Sequence, residues 1–220
     1  MRLYDMCPKS TLPEAQEGDW RIEKFTISEQ DARFFNLRQA INFRGHRSVD
    51  PGTYTRLRRN GAVIMSDTPA EIRDHLDFIK LARGPVLISG LGLGLVARAC
   101  LLKPEVSHVT IVEFSEDVIQ LSGQALVDEF GDRVEICQGD IKTWQPPQGA
   151  RYICAWHDIW DDICADNLKD FKVLRSRYAQ RCRFQFFWSL ADLEDIPRQQ
   201  KLKWKMHDEM RRLFERREVS

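Results

Sequence analysis

The sequence predicts an α/β protein: a Rossmann-like, doubly wound parallel sheet of about five strands, with a small N-terminal helix and β-hairpin extension and a long C-terminal helix. Three observations carry that prediction. Five short apolar runs alternate with helical periodicity between Gly84 and Leu190. The first run breaks into a Gly90-x-Gly92-x-Gly94 turn ahead of a helix. The next two runs end in carboxylates, Glu113 and Asp140.

Residues 1–83 form the extension. It opens on a polar lead in which no regular element is expected. Ser28, followed by the acids Glu29 and Asp31, marks a helix start. That helix runs to about Ile41 with Phe34, Leu37 and Ile41 on one face, one to two turns apart. Two extended runs around Asn60-Gly61, Tyr54–Leu57 and Ala62–Met65, predict a hairpin, because Asn-Gly supplies the positive φ values of a tight turn. Thr68-Pro69-Ala70-Glu71 has the spacing of a capping box with proline at the first helical position.

Residues 84–195 form the core. Val86–Ser89, Val109–Val112, Arg133–Cys137, Tyr152–Trp156 and Arg183–Trp188 are the expected strands, with helical patterns near 94–102, 116–127 and 165–179. Such alternation implies right-handed crossovers and parallel pairing. The link between the third and fourth strands, with Pro146-Pro147-Gln148-Gly149, is too short for a full helix. Residues 196–220 form a basic amphipathic helix, with Leu202, Met206, Met210 and Leu213 on its stripe.

The chain of 220 residues carries no net formal charge, which argues against nucleic-acid binding by bulk electrostatics. The balance conceals an asymmetry. From Glu105 to Asp170 there are 14 acidic and 4 basic residues, and the remainder carries 29 basic and 19 acidic ones. Nucleic acid is therefore expected, if at all, only through the basic flanks. No run has the roughly 18 apolar residues of a membrane helix, and Met1–Ser10 lacks a secretory apolar stretch. Six scattered cysteines without CxxC spacing point to free thiols in a reducing cytoplasm, not to a metal site or a disulfide framework.

The chemistry lies in the glycine loop and the strand-end acids. Glycines let a ligand rest on bare backbone, and the following helix turns its N-terminus toward it. Glu113, 19 residues beyond Gly94, can accept both hydroxyls of a ribose. Asp140 can accept from an exocyclic adenine amine while Ile141 covers the ring. A dinucleotide also fits, since Gly92-x-Gly94-x-x-Ala97 matches its fingerprint. The acid after the third strand favours S-adenosylmethionine, because a dinucleotide has no standing need for it.

The runs VLISGLGLG, VTIVEFSEDVIQL, RVEICQGDI and AWHDIWDD resemble class I S-adenosylmethionine-dependent methyltransferases, most closely their spermidine synthase-like branch. YTRLRRNGAVIMSD and AEIRDH extend the resemblance upstream. It implies that Gly90, Gly92 and Gly94 line the methionine and ribose, that Glu113 holds the ribose and that Asp140 and Ile141 hold the adenine. It also implies that Asp158 stands at the catalytic position after the fourth strand. Aminopropyl transferases of that branch carry an acid within the glycine loop, where this chain has Leu91 and Leu93. Methyl transfer is therefore expected over aminopropyl transfer.

A base at Asp158 matters where the acceptor arrives protonated. Trp160 can stack on a flat or cationic acceptor, and Asp161 is a further acceptor-binding candidate. His157 is expected to be structural. Glu71 and His75, one helical turn apart, fit either the cleft or an ordinary surface pair. The arginines Arg56, Arg58 and Arg59 fit a solvated face. The acceptor expected is a small molecule, with a homodimer as a further expectation and no membrane partner. A binding subunit without catalysis and a nicotinamide-dependent oxidoreductase are the alternatives.

Overall fold

The computed structural model describes residues 3–41, 47–161, 167–188 and 190. The C-terminal helix expected over 196–220 lies outside the described residues, as do Asp162 and Cys164.

The extension is larger than a hairpin. Strands β1 (Ala15–Glu17), β2 (Trp20–Ile27), β3 (Gly52–Arg59) and β4 (Ala62–Ser66) make a four-stranded antiparallel sheet in that order. Strand β2 pairs with β3 along its whole length, from Trp20 opposite Arg59 to Ile27 opposite Gly52. The polar lead was thus expected to be irregular and instead holds two strands. Its alternation is hidden because two successive residues, Ile22 and the charged Glu23, are both buried. It is neutralised there by Arg56 and Arg58 of β3. Two of the three arginines expected on a solvated face, Arg56 and Arg58, therefore serve a structural ion-pair group.

At the β3–β4 turn Asn60 and Gly61 both have positive φ, 48° and 85°, as the Asn-Gly signal requires. A register break between Leu57 and Arg58 makes Ile64 an extra residue on β4, and Ile64 and Met65 both reach the central cleft.

Helix α1 is the short turn Leu3–Met6, and α2 spans Glu29–Ile41. Ser28 caps α2 as expected, its Oγ accepting from Asp31 N at 3.1 Å. Its apolar stripe is not buried, however: Phe34, Leu37 and Ile41 are 69%, 61% and 68% exposed. The helix instead packs through Ala32 against Val49 of the loop before β3 and Ala70 of the helix that follows β4. Helix α3 (Pro69–Leu81) starts at Thr68 with Pro69 in its first turn, yet the Thr68 side chain makes no capping bond. Glu71 accepts from Ser66 N and Oγ instead, so the expected capping box is not formed.

The core is the predicted one. Strands β5 (Gly84–Ser89), β6 (Val106–Glu113), β7 (Val134–Gln138), β8 (Tyr152–His157) and β9 (Cys182–Phe187) form a parallel sheet ordered β7-β6-β5-β8-β9. Val86, Leu87 and Ile88 of central β5 are buried on both faces, which is why the run is continuously apolar. Helix α4 (Leu95–Leu101) follows β5. After β6 the chain forms α5 (Glu116–Val118), a π-turn over Ile119–Gly123 and α6 (Gln124–Phe130). Between β7 and β8 there is no α-helix, as the short link requires. Helix α7 (Asn167–Tyr178) precedes β9.

One face of the sheet joins α3 and α4 in the larger apolar cluster, and the other packs Phe171, Leu174 and Tyr178 of α7. The strand order reverses at β5, between β6 and β8, and open α/β sheets bind ligands at such a switch point, beyond the strand carboxyl ends. No described helix is long and apolar enough to cross a membrane.

Candidate functional site

A cleft of about 620 Å³ lies at this switch point. The parallel sheet contributes its strand ends, and the antiparallel sheet and α3 supply the opposite wall. Of the residues singled out by sequence, Gly90, Gly92, Glu113, Asp140, Asp158, Trp160 and Asp161 all line it. Gly94 and Ile141 do not.

Gly90 and Gly92 are required by close approach. Gly90 has φ 90°, and a Cβ there would collide with the carbonyl oxygen of Asp158. Gly90 N donates to Val112 O at 2.9 Å, and Asp158 N donates to Ser89 O at 3.0 Å. The first ties the β5 loop to β6, and the second ties the end of β8 to β5. Gly92 has φ 53°, and a Cβ there would strike the thioether of Met65. Leu93 N points at that sulfur, 3.0 Å away. Gly94 has φ 71° and stands at the N-cap of α4 against Leu126, where it turns the chain into the helix. Leu91 and Leu93 are buried in the core; the glycine loop carries no acid.

Glu113 is tethered by the loops around it. Its Oε2 accepts from Leu91 N at 2.7 Å and its Oε1 from Ser115 N at 2.8 Å. Each oxygen keeps a further acceptor direction for a ligand hydroxyl. Burial raises its pKa, and the Leu91 and Ser115 amides oppose that rise. Phe114, next in sequence, presents a ring that is 75% exposed at the cleft. Asp140 Oδ1 accepts from Lys142 N at 2.9 Å. Ile141 was expected over an adenine ring but is 3% exposed and packs with Val112 and Tyr152 in the core. The turn made by Thr143 N and Trp144 N onto Asp140 O directs it inward.

Asp158 follows β8. Burial pushes its carboxyl up to about 7; Trp156 opposes the rise, and the Asp74 and Glu113 carboxylates add to it. His157 is structural, as expected. Its Nδ1 lies 2.8 Å from Ser89 Oγ and its Nε2 3.2 Å from Gln185 Oε1, and burial lowers its pKa to about 4. Trp160 donates Nε1–H to Asp170 at 3.0 Å and stands edge-on to Phe171, which fixes its ring in the wall. Asp161 lies 3.8 Å from Arg59, which in turn sits over the Trp20 ring.

Sequence reasoning missed Asp19, Trp20, Met65, Trp156 and Trp188, which also line the cleft. Glu71 lines it too, so of the two settings open to the Glu71–His75 pair the structure selects the cleft side for Glu71. His75 is fully buried, edge-on to Trp156. Seven acids face the cleft (Asp19, Glu71, Glu113, Asp117, Asp140, Asp158 and Asp161) against Arg59 and Lys142. Such a field concentrates cations.

No protein-family model matches the chain. Over 71 residues, 30% of this chain, it is 39% identical to a tRNA1(Val) (adenine(37)-N6)-methyltransferase of Klebsiella pneumoniae. It spans 28% of that relative's length. Among solved structures, it is similar to the CcbJ methyltransferase of Streptomyces caelestis: 19% identity, 50% of this chain, 44% of that one, TM-score 0.40. It is also similar to the N-terminal domain of EvdMO1 solved with SAH bound: 15% identity, 38% of this chain, 36% of that one, TM-score 0.34. Both structural likenesses are confined to half of this chain or less.

Proposed function

We propose that the protein is an S-adenosylmethionine-dependent methyltransferase acting on a small cationic acceptor. The observation that carries this reading is one arrangement: bare backbone at Gly90 and Gly92, with Glu113 and Asp140 at the ends of successive strands, all on one cleft. When bound there, S-adenosylmethionine supplies an electrophilic methyl group on a sulfonium.

The residues present fit it. Glu113 is oriented by two backbone amides with acceptor capacity to spare for the ribose hydroxyls. Asp140 accepts from the base, and the exposed Phe114 ring offers the stacking face that Ile141 does not. The acidic cleft favours a positive ligand. The acceptor half is walled by Trp20, Trp156, Trp160 and Trp188, which orient a substrate and exclude water, the main needs of an in-line displacement. Asp158 stands at the junction of the two halves, as acceptor ligand or proton acceptor.

The leucines at 91 and 93 weigh against the aminopropyl-transfer alternative. An RNA base as acceptor is a second reading, favoured by the 71-residue likeness to a tRNA-modifying enzyme. The excess of acids over Arg59 and Lys142 at the cleft repels a polyanion and places it behind the cationic small molecule. Free thiols at the five described cysteines suit a cytoplasmic setting.

Calorimetric titration with S-adenosylhomocysteine, and with NAD in parallel, tests the proposal. Saturable binding of the first and none of the second is expected. The reverse would assign the site to a dinucleotide, and binding of neither would remove the nucleoside reading altogether.

A further inference from the structure

Helix α2 turns an apolar row to solvent. Phe34, Leu37 and Ile41 share one face and are all exposed. The opposite face seats the helix through Ala32, packed with Val49 and Ala70.

The exposed row has the spacing of a helix-pairing seam. Gln30, Phe34, Leu37 and Ile41, all exposed, follow one another at intervals of four, three and four residues. Two helices that pack at about 20° meet along such a row. The residues beside the seam decide its direction. Asp31 and Arg38 lie on one flank, and Arg33 and Ala40 on the other.

In an antiparallel pair of α2 helices, Phe34 meets the partner's Leu37, and Asp31 meets the partner's Arg38. Each contact occurs twice, once on either side of a twofold axis. Arg33 then lies across from the small side chain of the partner's Ala40. In a parallel pair Arg33 faces the partner's Arg38 instead, also twice, and the helix dipoles align unfavourably. The flanking charges therefore favour the antiparallel pair. Ser28 Oγ donates to Asp31 Oδ2 at 2.6 Å, which leaves Oδ1 for a second donor.

Other occupants suit this face less well. Its charges balance, Glu29 and Asp31 against Arg33 and Arg38, so it lacks the basic flank by which amphipathic helices hold a membrane surface. The stretch 196–220 is basic and finds no excess of acid on α2.

We propose that α2 is a homodimer interface, in which two copies of the chain pair antiparallel through Phe34, Leu37 and Ile41, with Asp31 set against the partner's Arg38. The contact is self-complementary and closes at two copies. A helix of 13 residues is about 20 Å long, and one such pair falls short of the roughly 1,200 Å² of a standard interface. Association is therefore weak and depends on protein concentration.

Sedimentation velocity of the full chain over about 1–300 µM, the range for a contact of this size, tests the pairing. The sedimentation coefficient should rise from that of a monomer to that of a dimer. Leu37→Glu places a charge in the seam and should leave only monomer, with circular dichroism unchanged because Leu37 is exposed in the single copy. Arg38→Glu and Asp31→Lys each set like charges across the flank and should weaken self-association about tenfold. Mixed together, these two variants should associate nearly as well as the parent, since each then meets an opposite charge.

A chain that stays monomeric to the top of that range would overturn the proposal, as would a dimer unmoved by Leu37→Glu. Tighter association of Arg38→Glu would overturn the antiparallel direction, because that change relieves the Arg33 repulsion of a parallel pair. Binding to phosphatidylserine vesicles that Leu37→Glu abolishes would give the face to a membrane instead. Should Asp31→Lys, which loses the Ser28 bond, fail to fold, Arg38→Glu alone decides.

Discussion

Between pH 6.5 and about 8 the folded protein should lose up to about 3 kcal/mol of stability, and Glu71 should account for most of it. Burial holds protons on Glu71 up to about 8 and on Asp158 up to about 7. It also keeps His75 and His157 neutral down to about 4. In the unfolded chain the two acids titrate at 4.5 and 3.8 and the imidazoles at 6.5.

From 4.5 to 6.5 the folded state holds two extra protons on the acids, and the unfolded state holds two on the imidazoles. The contributions oppose, and stability stays level. Above 6.5 the imidazoles are neutral in both states, so only the acids count. Their raised pKa values stabilise the fold fully at low pH, and that stabilisation drains away as pH climbs to the folded values. Each retained proton is worth about 1.4 kcal/mol per pH unit. Two protons act up to about 7 and one to about 8, giving about 3 kcal/mol, of which Glu71 supplies about 2. Water in the cleft screens the carboxylates and makes this an upper value. Glu113, whose pKa burial also raises, works in the same direction.

Urea unfolding at half-unit pH steps would measure the curve. Glu71→Gln should flatten most of the fall, and Asp158→Asn its first part. A stability curve level from 6.5 to 8.5, or one unaltered by Glu71→Gln, would refute the protonation assignment.

Glu113→Ala and Asp140→Ala should each weaken S-adenosylhomocysteine binding by about 1.5–3 kcal/mol, the range for hydrogen bonds to a charged group; calorimetry showing unchanged affinity in both would displace the nucleoside from these strand ends. Gly90→Ala and Gly131→Ala make a matched pair in thermal unfolding. Both residues have positive φ, but only Gly90 faces a backbone oxygen, whereas nothing lies within 4 Å of a Cβ at Gly131. Gly131→Ala should cost only the backbone strain of φ 54° and ψ −131°, about 1–3 kcal/mol, and Gly90→Ala clearly more; equal costs would remove the close approach of the β5 and β8 loops.

The parallel sheet is legible in the sequence because its inner strands β5, β6 and β8 are short, mostly apolar runs that are largely buried, and the edge strands β7 and β9 follow from the alternation with helical periods. The strand-end acids are legible for the same reason: once a strand's end is placed, so is the residue after it. Strand β2 was hidden because a buried ion pair interrupts its period, and no local pattern announces that Arg56 and Arg58, over 30 residues away, will neutralise Glu23. The stripe on α2 shows that periodicity fixes which residues share a face, not whether the face is covered. Ile141 was misplaced because a one-residue turn decides whether a side chain after a strand enters the cleft or the core. Glu71 was open in the sequence to a capping box, the cleft or a surface pair, and only its bonds to Ser66 and its place in the tertiary fold decide between them. Trp20 and Met65 belong to the site only through tertiary packing.

The contact of Met65 with Gly92 and Leu93 has a consequence for how this protein can be divided. The extension supplies Trp20, Arg59, Met65 and Glu71 to the cleft, whereas the sheet supplies the glycine loop and Glu113, Asp140 and Asp158. A fragment starting at Gly84 would therefore strip the thioether from the loop amide and remove one wall of the chamber, even if its sheet still assembled. The two halves also differ in what they tolerate. Around Gly90 and Gly92 a single methyl group collides with a neighbour, so that half resists change. The facing wall consists of side chains on a surface sheet and one helix, which can be exchanged without disturbing the loop as long as Met65, which touches Gly92 and Leu93, is kept. Chimeras that graft residues 15–71 from one homologue onto the sheet of another should thus exchange acceptor preference while leaving the nucleoside pocket as it was.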